Sequence, residues 1–149
     1  MSVRTGAGFA NLQAIIPERP TVLIVEDDEA TATALSRQVA GLGYTARVAT
    51  SAEQADPWIA NQRFDLVLLD VNLPRMNGME FLGWILRRSP TTAVIMVTGN
   101  DDIEMAVECL EQGARTYLVK PIEPEVLRLS VRDALAMSAL MQHWVDSGR

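Results

Sequence analysis

A chain of 149 residues with 13 Lys and Arg against 19 Asp and Glu, a net charge of −6, is long enough for one domain that buries roughly two thirds of its unfolded surface. It lacks the clustered cations that phosphate neutralisation demands, which argues against direct nucleic-acid binding. A single cysteine, Cys109, excludes an internal disulfide or a zinc cluster, suits a reducing cytoplasmic setting and reads as a small apolar group on a helix; nothing approaches about 18 uninterrupted apolar residues, so no membrane span is expected.

Residues 1–20, with Phe9, Leu12, Ile15 and Ile16 scattered among polar neighbours and ending in Pro17-Glu18-Arg19-Pro20, read as a flexible lead-in too short and polar for a secretory signal. Thr21 to Val25 is a β-branched apolar run that stops at Glu26-Asp27-Asp28-Glu29, as a buried strand ending in acids would. Ala30, Ala34, Leu35 and Val39 follow helical spacing until Gly41 and Gly43, which stop the helix. A second strand spans about Tyr44 to Ala49. Thr50 and Ser51 are candidate N-caps for a helix containing Pro57, which either kinks it or marks a later start at Asp56-Pro57.

Phe64 to Pro74 carries the run Leu66-Val67-Leu68-Leu69 up to Asp70, a pattern expected of a strand buried on both faces. After the Pro74-Arg75-Met76-Asn77-Gly78 loop, Met79, Leu82, Trp84, Ile85 and Leu86 mark a third helix. Ala93 to Val97 is another apolar strand, ending in Thr98-Gly99-Asn100. Asp101 and Asp102 stand where a helix N-terminus favours negative charge; Ile103, Met105, Ala106, Val107 and Leu110 fill that helix and Gly113 ends it. Thr116 to Val119 is a fifth strand closed by Lys120-Pro121, and a last helix starts near Glu123-Pro124 and runs to about Val145. This alternation implies βαβ units, hence an α/β domain with a doubly wound parallel five-stranded sheet over residues 21–140. Residues 141–149 are then a helical extension or linker.

In such a sheet all strands point one way, so Glu26-Asp27, Asp70, Thr98 and Lys120 gather at one edge, where open α/β sheets bind ligands. Taken alone, Asp70 is a nucleophile, a metal ligand or a turn acceptor. Three crowded carboxylates raise one another's pKa values unless a cation neutralises them, and hard oxygen ligands suit Mg²⁺. Lys120 balances the remaining charge, and the Thr98 hydroxyl is placed to donate to a phosphoryl oxygen.

Four segments in order, Val22-Leu23-Ile24-Val25-Glu26-Asp27-Asp28, Asp65-Leu66-Val67-Leu68-Leu69-Asp70-Val71-Asn72-Leu73-Pro74 with Met76-Asn77-Gly78, Val97-Thr98-Gly99 and Tyr117-Leu118-Val119-Lys120-Pro121, resemble the receiver domains of two-component response regulators, from about Thr21 to about Ser138. The resemblance implies the flavodoxin-like or CheY-like fold with strand order 2-1-3-4-5. It implies Asp70 as phosphoacceptor, with Glu26, Asp27, Asp70 and the Asn72 carbonyl as Mg²⁺ ligands. Thr98 matches the switch hydroxyl, Tyr117 the aromatic switch and Lys120 the phosphate-pairing cation, and a cis peptide is expected at Lys120-Pro121. The implied donor is a histidine kinase or a histidine phosphotransfer protein, and the implied readout is the surface of the fourth helix, fifth strand and fifth helix acting on an output module or partner. The resemblance further implies that catalysis is confined to self-directed phosphoryl acceptance and autodephosphorylation. Glu26 departs from the commoner aspartate, Gly99 from the commoner alanine, and Asn72 and Asn100 place amides at positions that tune phosphoryl lifetime.

Along the last helix Leu127, Val131, Ala134, Ser138, Met141 and Val145 recur at steps of three and four, a stripe longer than sheet coverage requires. A homodimer through this helix, a connector to an output domain, or docking on its own domain are the readings; His143 reads as a surface residue. A Mg²⁺-dependent Asp-nucleophile phosphatase needs a second acid two residues beyond Asp70, where Asn72 stands. A flavin or nucleotide module needs a Gly-rich cradle where Glu26-Asp27-Asp28-Glu29 stands. A pseudo-receiver docking module is the remaining alternative.

Overall fold

A computed structural model describes residues 15–148. Its strands are β1 (Thr21–Val25), β2 (Thr45–Ala49), β3 (Leu66–Asp70), β4 (Ala93–Thr98) and β5 (Thr116–Val119), and its helices α1 (Glu29–Gly41), α2 (Ala52–Asn61), α3 (Gly78–Arg88), α4 (Ile103–Glu111) and α5 (Pro124–Asp146). All four strand pairings are parallel, as the alternation predicts, and their order, β2-β1-β3-β4-β5, is the one the resemblance implies. Most of the expected lead-in, residues 1–14, lies outside the described residues; Pro20 is buried, and its carbonyl accepts the Thr45 N–H at 2.9 Å.

The period of two along each strand divides the core. Leu23, Val25, Val67, Leu69, Val94 and Met96 face α2, α3 and α4, where Ile59, Phe81, Leu82, Ile85 and Cys109 are buried. Val22, Ile24, Leu66, Leu68, Ile95 and Val97 face α1 and α5, against Leu35, Val39, Leu127 and Val131. The interior strands are therefore apolar throughout, and the polar groups are pushed to the strand ends.

Local chemistry explains the boundaries. Ser51 caps α2 by accepting the Gln54 N–H at 3.1 Å, so the helix starts before Pro57 and runs through it. Asp28 caps α1 through the Thr31 amide and hydroxyl, which hold its carboxyl below the usual range. Asp101 and Asp102 fall in a 3₁₀ turn, Asn100–Asp102, ahead of α4, and no side-chain cap bond forms there. α5 extends unbroken to Asp146, with Leu127, Val131, Ala134 and Ser138 buried and Met141 and Val145 exposed. The stripe thus docks on its own domain for its first part and is open for its last.

Candidate functional site at the carboxyl ends of the strands

β3 delivers Asp70 to the carboxyl edge between β1 and β4. Its side chain is only 5% exposed, and the Asn72 N–H donates to its Oδ1 at 3.0 Å. Glu26 follows β1 directly, is 1% exposed, and is held by the Asp28 N–H on Oε2 at 3.1 Å. Carboxylate oxygens of Glu26, Asp27 and Asp70 lie within 4.8 Å of one another, with Asp27 exposed at the mouth. Lys120, carried in by β5, places Nζ 2.7 Å from Glu26 Oε1 and 3.5 Å from Asp70 Oδ2. The Lys120 N–H donates to the Thr98 carbonyl at 2.8 Å, which ties the β5 end to the β4 end.

The electrostatics follow from this crowding. Burial, and then the facing Glu26 carboxylate, push the Asp70 carboxyl up to about 7, against the opposing pull of the Asn72 amide and Lys120. Burial works against the Lys120 ammonium, yet Glu26 and Asp70 together outweigh it and raise its pKa. Glu26 Oε1 takes the Lys120 ammonium at 2.7 Å. Three clustered carboxylates with one lysine among them leave negative charge over, which fits a hard divalent cation with oxygen ligands.

The other expected residues sit nearby in different states. Thr98 is fully buried and its hydroxyl donates to the Gly99 carbonyl at 3.0 Å. Tyr117 is half-buried and packs against the core beneath α2, α3 and α4. The Asn72 side chain is exposed, and Lys120-Pro121 is cis.

Two features of the β3–α3 loop acquire their physical reason only in the folded chain. A Cβ on Gly78 would lie 2.3 Å from the Asp70 carbonyl oxygen and 2.8 Å from Val71 Cα, so only glycine lets α3 start against the strand end; Asn77 caps that helix through the Glu80 N–H at 2.9 Å. Arg75 adopts φ +64° and reaches Glu53 on α2 at 3.4 Å.

A doubly wound sheet with an acidic trio and a lysine at the carboxyl ends of its strands places the chain in the class of open α/β proteins that bind ligands at that edge. The family described as "Response regulator receiver domain" matches residues 22–132, and the chain belongs to this family. It is similar to the response regulator protein FleR of Pseudomonas aeruginosa, 44% identical over 115 residues that cover 76% of this chain and 24% of FleR. It is also similar to a cyclic di-GMP phosphodiesterase of Thermotoga maritima, 37% identical and covering 77% of this chain and 31% of that protein. Among solved structures, a putative response regulator from Chloroflexus aurantiacus superposes with a TM-score of 0.75 at 34% identity, covering 79% of this chain and 98% of that one. The chain spans about a quarter to a third of these two curated relatives. Among the described residues no helix is long and apolar enough to cross a membrane.

Proposed function

We propose that this domain is a phosphorylation-dependent switch in which Asp70 accepts a phosphoryl group from a phosphohistidine on a histidine kinase or a histidine phosphotransfer protein. The observation that carries this reading is the convergence of Glu26, Asp27, Asp70 and Lys120 from three strand ends into one charged pocket. An Asp70 carboxylate oxygen attacks phosphorus; the O–P bond forms as the donor N–P bond breaks, and the imidazole leaves with the electron pair. Lys120 pairs with a phosphoryl oxygen and offsets charge that the acidic trio cannot. Mg²⁺, held by Glu26, Asp27, Asp70 and the Asn72 carbonyl, would supply the remaining charge neutralisation and alignment. The exposed side chains of Asn72 and Asn100 put amides instead of charges at their two positions and leave access for an attacking water, so the acyl phosphate hydrolyses on the domain itself.

Thr98 gives up the Gly99 carbonyl for a phosphoryl oxygen, Tyr117 moves into the space vacated, and the α4-β5-α5 surface changes population. That surface acts on an output module or partner. Exposed Leu140, Met141, Trp144 and Val145 on α5 support pairing of this helix with a second copy of the chain.

Acetyl phosphate with Mg²⁺ should label the chain once, at Asp70. Asp70→Asn should lower labelling by more than about 100-fold, and a chelator should do the same to the unaltered chain. Full incorporation into the Asp70→Asn protein would overturn the assignment. A beryllofluoride titration that leaves the α4-β5-α5 amide resonances unmoved would instead indicate a docking module.

A further inference from the structure

α5 spans 23 residues, about 35 Å, and therefore reaches from the Lys120-Pro121 loop to the opposite end of the sheet. Beyond the buried Ala139 its last two turns leave their large apolar side chains about half open to solvent: Leu140, Met141, Trp144 and Val145 are 42, 41, 60 and 55% exposed. Short helical turns without packing are marginal in water. A polar cluster stands where the apolar contact ends. Arg63, in the α2–β3 connection, donates from Nη1 to Asp65 Oδ1 at 2.7 Å, from Nη2 to Ser138 Oγ at 2.8 Å and the Thr91 carbonyl at 3.2 Å, and from Nε to Thr91 Oγ1 at 3.2 Å. Ser138, 1% exposed, donates to the same Thr91 carbonyl at 2.7 Å, and Thr91 Oγ1 donates to Gln142 Oε1 at 2.6 Å. The planar guanidinium, with donors fixed in one fork, suits a junction of this shape where an ammonium does not.

We propose that Arg63 is a latch: it holds the second half of α5 to the amino ends of β3 and β4, and so sets the direction in which Leu140, Met141, Trp144 and Val145 are presented. The latch stands independently of any reaction at Asp70. With it closed, the helix is one rod, and a tilt imposed at the Lys120-Pro121 loop reaches residues 140–146.

Hydrogen exchange on the full chain reads this directly. Arg63→Met should lower protection of the amides at 140–146 by at least tenfold, while those of β1 and of residues 128–134 change less than twofold. Arg63→Lys should fall between. Exchange at 140–146 within twofold of the unaltered chain, or an equal loss across all of α5 and β1, overturns the latch. Should Arg63→Met fail to fold, Ser138→Ala and Gln142→Leu remove bonds of the same junction while leaving Arg63 and Asp65 paired, and the same criterion decides.

Discussion

Asp65 and Asp70 bracket one apolar strand, five positions apart, and live in opposite worlds. Asp65 is saturated: Arg63 holds one oxygen at 2.7 Å, and the Thr21 N–H and hydroxyl hold the other at 2.8 and 3.2 Å. Asp70 has one amide and a lysine at 3.5 Å, with Glu26 and Asp27 crowding it. Every donor around Asp65 stabilises the fold. The shortage of donors around Asp70 leaves it open to a new bond or cation, from which a carboxylate already satisfied would gain little. One end of β3 is fully paired, and the other carries the carboxylate to which the proposed function assigns the chemistry.

Substitutions can break that contrast, and the largest effect expected is on labelling. Asp70→Asn should abolish it, whereas folded Asp65→Asn should label as the unaltered chain does; loss in both would remove the distinction. Gly78→Ala should come next, at about 3 kcal/mol or more of destabilisation in urea melts, because the new Cβ meets backbone that cannot yield. A stable Gly78→Ala protein would mean that the loop relaxes freely. Asp65→Asn should cost about 2 kcal/mol, since its NH₂ must face either the Arg63 or the Thr21 donors.

A pH series sharpens the comparison at the other end. In chelator, unfolded Asp70 titrates near 3.8 and folded Asp70 at about 7. Between these values the folded chain binds more protons, so this group's contribution is full below pH 3.8 and is lost as pH rises through 7. Asp70→Asn should therefore be more stable than the unaltered chain by about 1–3 kcal/mol at pH 8 and by little at pH 4. A pH-independent difference would contradict the Asp70 shift. The smallest effect expected is at Arg75: its left-handed backbone costs about 1 kcal/mol and its exposed pairing with Glu53 returns little. Arg75→Gly should stabilise by about 0.5 kcal/mol after the entropic cost of glycine, and destabilisation would show that the Glu53 contact matters.

Motif reading pointed to the charged pocket because its members sit where apolar runs end: Glu26 after Val25, Asp70 after Leu69 and Lys120 after Val119. It left Pro57 undecided, since a cap and a kink compete locally and only the folded helix shows Ser51 prevailing. It placed Asp101 and Asp102 at a helix start but gave no hint that the first turn is 3₁₀ and uncapped. Arg63 carried no signal at all, for its partner Ser138 is 75 positions away.

From residue order alone came the strand and helix alternation and the parallel sheet, because burial of both sheet faces writes itself into hydrophobic periodicity; the family came from the resemblance of four short segments at the strand ends. Tertiary structure decided which carboxylate is satisfied and which is left short of donors, how closely α3 may approach the end of β3, and where α5 is held. Those depend on distances between groups far apart in the chain, and periodicity carries no information about distances.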